Sequence, residues 1–274
     1  MLPRVDLIRG AESDWLLMNN PDHISGFIRA TGAWGVTEST ISKIILEQCA
    51  EANVIDAGAN IGGFTIPIAK ALDASGGRVH AFEPQRIAYQ QLCANVFLNR
   101  LDNVYAYNLA LGDTSKMIHM PELDQWKSQN IGGFSVDPDI RRNLKEEAMS
   151  GQNFVNEERC NLGQEVEQRP LDSFGFDFKI SLMKVDVEGY ELEFFKGANE
   201  TIIESMFPPI IFELWDDRNW YSEKAKATTQ FLIEMGYEFE KFGKEILALH
   251  PRHPLVCSVE REGNSVNLIV SHRN

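Results

Sequence analysis

A short apolar strand that runs straight into a glycine-rich turn constrains this chain more than any other feature. Residues 53–57 (NVIDA) read as a buried strand that ends on a polar residue, Asp56, and the small Ala57. The next six residues, Gly58-Ala59-Asn60-Ile61-Gly62-Gly63, are a turn. Residues 64–72 follow as a helix, with Pro67 tolerable only near its first turn, where a missing N–H costs nothing. A strand, a glycine turn and a helix in this order make the first half of a βαβ unit, which needs a parallel partner strand beside it.

That partner follows. Residues 78–82 (RVHAF) predict a second strand, 85–99 an amphipathic helix, and 103–110 a third strand. The alternation specifies a doubly wound α/β fold with a mostly parallel sheet and helices on both faces. It breaks over 111–179, where Gly, Asp and Asn collect around one predicted helix at 140–149, and resumes with a strand at 180–187 (ISLMKVDV). A helix at 190–204, a strand at 209–214 and a helix at 221–235 stopped by Gly236 come next. Residues 237–242 and 266–271 predict two late strands joined through the Pro-rich loop 250–254, an antiparallel hairpin that closes the sheet. With 274 residues the whole is one domain over 1–274, with 1–52 as an N-terminal helical cap and 114–179 as an inserted substrate-side segment.

Composition removes several classes. No stretch is long and apolar enough to span a bilayer. The charges at Arg4, Asp6, Arg9, Glu12 and Asp14 break any signal-peptide core, so a cytoplasmic location is expected. A net charge of −14 without a basic run argues against nucleic acid as a partner. Cys49, Cys93, Cys160 and Cys257 form no CxxC pair, which speaks against zinc and against a disulfide framework. Cys93, on a stripe with Tyr89, Leu92 and Val96, reads as a small buried hydrophobe.

In an open parallel sheet a ligand binds beyond the carboxyl ends of the strands. Gly58 permits the sharp turn and close ligand approach, and Gly62 and Gly63 start the helix beneath the ligand. Asp56 either orients this loop or holds a ligand amine. Glu83, in Phe82-Glu83-Pro84, ends the second strand where one carboxylate can accept from both hydroxyls of a ribose. A dinucleotide loop needs glycine where Asn60 stands, to admit a pyrophosphate. S-adenosylmethionine carries no pyrophosphate, so the loop suits it better than NAD.

Asp56-Ala-Gly-Ala-Asn-Ile-Gly-Gly-Phe-Thr, Phe82-Glu83-Pro84, Leu109-Ala-Leu-Gly-Asp113 and Met183-Lys-Val-Asp-Val-Glu-Gly-Tyr-Glu191 together resemble the FkbM family of class I methyltransferases, and Lys196-Gly-Ala and Ile211-Phe-Glu213 continue the likeness. The resemblance spans about 35–237. It implies a seven-stranded sheet with an antiparallel last strand, and O-methylation of a sugar or natural-product hydroxyl. It implies that Asp56, Gly58, Asn60 and Gly62 hold the methionine part of S-adenosylmethionine, Glu83 the ribose, and that Asp113 lies near the adenine. Asn130-Ile-Gly-Gly-Phe-Ser135 is similar to a glycine-rich patch of relatives and is expected near the acceptor.

An alcohol must lose its proton during transfer, so a base beside the methyl group helps. Asp186 ends the fourth strand and Glu188 follows two residues on, and period two puts both on one side if the strand continues. They are candidate bases, or oxygen ligands for a divalent metal, or simply acids at a helix start. Glu191 reads as structural, as do Lys184 inside its strand and His80 in the core, while Glu213 either faces the cleft or, the favoured reading, pairs with a cation such as Arg218. His119 is a candidate base or a solvated loop residue. Trp34 and Glu38 either close over the cofactor or pack in the core. An NAD-dependent oxidoreductase and an idle S-adenosylmethionine-binding relative remain the competing readings, and amine acceptors stay open beside hydroxyls.

Overall fold

The computed structural model describes residues 4–10, 12–20, 22–123, 132–150, 158–215, 217–262 and 265–273. The chain opens with a hairpin of β1 (Val5–Arg9) and β2 (Asp14–Met18), then helices α1 (His23–Thr31) and α2 (Val36–Leu46). The βα units follow as β3 (Asn53–Ala57), α3 (Thr65–Leu72), β4 (Arg78–Phe82), α4 (Arg86–Leu98) and β5 (Val104–Tyr107). Next come β6 (Ala110–Leu111), β7 (Lys116–Leu123), α5 (Pro138–Ser150) and β8 (Glu158–Arg169). The main sheet resumes with β9 (Leu182–Val185), α6 (Glu191–Gly197), α7 (Asn199–Glu204), β10 (Ile210–Glu213) and α8 (Ser222–Met235). The chain ends through β11 (Glu238–Phe242), β12 (Glu245–Leu249), β13 (Leu255–Glu262) and β14 (Ser265–His272).

Seven strands form one sheet in the order β11-β12-β10-β9-β3-β4-β5. Its five inner and β5-side strands run parallel, and β12 pairs antiparallel with both β10 and β11. Side chains alternate between two cores. Val54, Val79, Leu182 and Ile211 pack beneath α2 and α3, while Ile55, Met183, Ile210 and Phe212 pack against Phe194 and Phe195 of α6, Ile202 of α7 and Leu232 of α8. Both faces are therefore covered, as an apolar parallel strand demands.

The edges of the prediction shift for physical reasons. The N-terminal segment is no purely helical cap; its first element is the β1–β2 hairpin. Polar residues spaced four apart on α4 receive it. Asn95 accepts from Leu16 N at 2.7 Å, Gln91 donates to Leu16 O at 2.9 Å, and Asn99 meets both backbone groups of Asp14. This row satisfies a strand edge that would otherwise lie unpaired. Cys93 is half-buried beside Tyr89, not buried. The predicted third strand stops at Tyr107; Ala110 and Leu111 leave the main sheet to pair with Gln168 and Arg169 of β8. The insertion thus carries a sheet of its own, β6-β8-β7.

The helix predicted at 190–204 breaks at Ala198, just after Gly197, which lies so close to Gly112 O that a Cβ would sit 1.9 Å from it. Residues 266–271 do not close the main sheet. They belong to β14, which pairs with β13 in a separate hairpin, and the closing partner of β11 is β12, across the two-residue turn Gly243-Lys244. Pro67 falls in the first turn of α3, where its missing N–H is harmless. His80 is a core histidine: burial, then Arg78, lower its pKa to about 4, and Tyr105 and Phe178 stack on its ring.

Candidate active site

A cleft of about 350 Å³ opens over the carboxyl ends of β3, β4, β9 and β10, a volume at the small end for ligand sites. Its floor begins at the turn after β3. Gly58 (φ +82) donates to Phe82 O at 3.0 Å, and a Cβ there would lie 1.8 Å from Asp186 O. Only glycine fits that conformation and that approach. Asp186 N in turn donates to Ala57 O at 2.9 Å, so the turns after β3 and β9 interlock. Asn60 follows in the left-handed region (φ +51), a place asparagine tolerates. Gly63 packs under Trp34, where a Cβ would approach Trp34 Cδ1 to 2.7 Å.

Glu83 is buried at the end of β4 and lines the cleft. One oxygen accepts from Asn60 N at 2.8 Å and the other from Gln85 N at 2.8 Å. Each oxygen keeps a second acceptor site. Burial outweighs these donors and pushes the carboxyl up to about 7.

Asp56 is fully buried and does not line the cleft. It accepts from Thr65 Oγ1 at the start of α3, and its Oδ1 lies 4.0 Å from Lys184 Nζ. Parallel register sets Asp56 beside Lys184 on the same sheet face. Of its two expected roles, orienting the loop is the one its position permits. Lys184 reaches on to Asp186 Oδ2 at 3.0 Å. Burial opposes its charge, but Asp186 and Asp56 overcome that and hold its pKa above the ordinary value.

Asp186 and Glu188 both line the cleft, though not by strand alternation. The strand ends at Val185, and Glu188 is turned in by a left-handed backbone (φ +54). Burial first, then Asp186, Glu213 and Glu191, push its carboxyl well above the carboxylate range. Glu191 is structural: it accepts from Val187 N, Gly189 N and the Tyr221 hydroxyl. Glu213 lines the cleft too, while Arg218 pairs with Glu147 at 3.2 Å, not with Glu213. Among the described residues no group of three or more His, Cys, Asp or Glu side chains is placed to hold a metal.

Three expectations are corrected or narrowed. Asp113 is exposed, takes a hydrogen bond from Thr114 and stays off the cleft wall, because the chain departs with β6. Leu109, Ala110 and Leu111 form that wall instead. Gly62 lies just behind the wall, against Ile66 and Leu92. Of the patch ending at Ser135, Gly132, Gly133 and Phe134 line the cleft, while Asn130 and Ile131 lie outside the described residues. Trp34 and Glu38 are on the cleft wall, and His119 is exposed, away from it. Sequence reasoning missed Trp215, Lys244 and the role of Arg218 on this wall. For Lys244 a signal existed: Gly243-Lys244 between two apolar runs is a hairpin turn.

The strand order, the antiparallel strand set between the last two, and a glycine turn with an acidic residue ending the next strand define a class I methyltransferase architecture. Residues 56–239 match the methyltransferase FkbM domain, more than half of the chain, and the chain belongs to that family. It is 29% identical over 181 residues to the methyltransferase sdnD of Sordaria araneosa, a match covering 60% of this chain and 66% of that one. A solved FkbM methyltransferase from Methylobacillus flagellatus superposes with a TM-score of 0.46 at 16% identity, over 74% of this chain and 44% of that chain. An S-adenosylmethionine-dependent O-methyltransferase from Thermotoga maritima gives a TM-score of 0.43 at 11% identity, over 96% and 71%. The chain thus spans under two thirds of the length of the sdnD relative and of the Methylobacillus structure.

Proposed function

We propose that this protein transfers a methyl group from S-adenosylmethionine to a hydroxyl of a small molecule, a sugar or a natural product. What carries this is the pairing, at one cleft, of a backbone cradle at Gly58 with a buried acceptor carboxylate at Glu83. The residues fit the cofactor. Gly58 leaves room where any Cβ would strike Asp186 O. Ile61, Gly63 and Phe64, just ahead of α3, line the cleft, where backbone N–H groups would suit a carboxylate. Glu83 retains acceptor sites for a diol, and Leu109, Ala110 and Leu111 offer an apolar wall for a flat base. The acidic lining suits a cationic ligand. When bound, S-adenosylmethionine supplies a methyl group on a positively charged sulfur.

The protein's part is alignment and proton removal. Glu188, on the cleft lining, is the proton acceptor; burial and the neighbouring acids favour its protonated form, and a cationic ligand in the cleft would favour the ionised form that can accept a proton. Asp186, tied to Lys184, stays fixed against the cofactor turn. Gly132, Gly133 and Phe134 close the acceptor side and keep water from the transferring group. With a net charge of −14 and these acids in the cleft, a nucleic-acid acceptor is the poorer fit.

Calorimetric titration with S-adenosylmethionine, beside NAD and with Glu83→Ala as control, tests this. Saturable binding of S-adenosylmethionine, weakened by at least about tenfold in the variant, is expected. A preference for NAD, or no binding, overturns it. A screen of hydroxylated acceptors by methyl transfer follows, in which neutral amines turned over in place of alcohols would move the assignment to N-methylation.

A further inference from the structure

The cleft has a second end, for which methyl transfer alone gives no role. From β4 to β10 the sheet takes three strand spacings, about 14 Å, so the segment after β10 faces Glu83 from across the cleft. Arg218 lines the cleft from that segment, beside Trp215, Leu144 and Val136. Its guanidinium is held in place before any ligand arrives. Nε lies 3.2 Å from Glu147 Oε2, and Cζ stands 4.2 Å from the centroid of the Trp215 ring. The ion pair takes one edge of a group that has five N–H donors. Nη1 is buried with no hydrogen-bond partner among the described residues. A buried donor left unmatched is costly, more so on a charged group, and an oxygen ligand would remove that cost.

A purely mechanical role, pinning α5 over the cleft, does not require this arrangement. Lys224 already ties α5's entry to the core through Asp137 at 3.3 Å, and Ile140 packs with Trp215 and Tyr221. A flat guanidinium, stacked and pre-set, is instead suited to a carboxylate or phosphate, which it meets with two parallel hydrogen bonds.

We infer that Arg218 is an acceptor-recognition residue, and that the hydroxylated molecule methylated here carries an anionic group, carboxylate or phosphate, that docks on its guanidinium. This rests on the assignment of the cleft to methyl transfer.

The test uses the full chain saturated with S-adenosylhomocysteine and three probes of one sugar type: D-glucuronate, D-glucose 6-phosphate and the neutral methyl D-glucoside. Calorimetry should show at least one anionic probe binding about tenfold or more tighter than the neutral one. Which anion wins distinguishes carboxylate from phosphate. Arg218→Gln should erase the difference, while Glu147→Gln, which frees the guanidinium without removing it, should keep it. Affinity for S-adenosylhomocysteine should stay within about twofold in both variants. Equal binding of the three sugars overturns the inference, and so does a Glu147→Gln variant that loses anion binding as fully as Arg218→Gln. If wild-type protein fails to bind S-adenosylhomocysteine, the methyl-transfer assignment falls first and takes this with it.

Discussion

At the scale of single residues, two left-handed backbone positions, Gly58 and Glu188, shape the cleft. Gly58→Ala forces a Cβ into Asp186 O at a left-handed position; the expected cost is about 3 kcal/mol of stability, read by urea unfolding, with S-adenosylmethionine binding lost. Unchanged binding would mean the cradle holds nothing. Glu188 is the opposite case. Its left-handed backbone and crowded carboxylate burden the fold, so Glu188→Gly should stabilise by about 1–2 kcal/mol while cutting turnover by about a hundredfold. A variant both less stable and fully active would remove Glu188 from the mechanism. Gly58, Asn60 and Glu83 were legible because their spacing is local: one strand, one turn, the next strand end. Asp113 misled because the same local spacing says nothing of where the chain goes after leaving the sheet. Lys184 and Arg218 each have one partner far away in sequence, Asp56 and Glu147, and no periodicity encodes those.

At the scale of elements, the insertion helix α5 lends Leu144 to the cleft wall. Ile140 is buried against Trp215 and Tyr221 and touches the space a Cβ on Gly189 would need. Ile140→Ala should cost about 2–4 kcal/mol and loosen α5. Limited proteolysis should then cut the insertion first, and acceptor turnover should drop further than S-adenosylmethionine affinity. Equal losses in both would show that α5 supports the cofactor as well. The parallel strands and their helices were legible from apolar runs and glycine stops. The hairpin β1–β2 and the insertion strands were not, because charged residues interrupt them and their partners are polar helix side chains or each other. β12 escaped notice between two stronger signals, though its two-residue turn was in plain view.

For the molecule as a whole, buried acids dominate the response to pH. Burial raises Glu83 and Glu191 to about 7 and Glu245 to about 8, from 4.5 in an unfolded chain. The native state therefore holds more protons than the unfolded one across that span, so stability falls as pH rises from about 4.5 to about 8. Thermal melts of ligand-free protein should show a lower Tm near pH 8 than near pH 5.5. Saturating S-adenosylmethionine should flatten the slope, because a cation in the cleft favours the ionised acids. A Tm that climbs with pH over the same span would contradict the placement of these carboxyls. One strand has a consequence in time. β12 lies between β10 and β11 in the sheet but follows both in the chain. During synthesis β10 must wait with one edge bare, and β11 has no place to dock, until residue 249 leaves the ribosome. Stalled or truncated products ending before β12 would expose that edge to one another, and this protein's yield in a cell should depend on how fast residues 238–249 are translated.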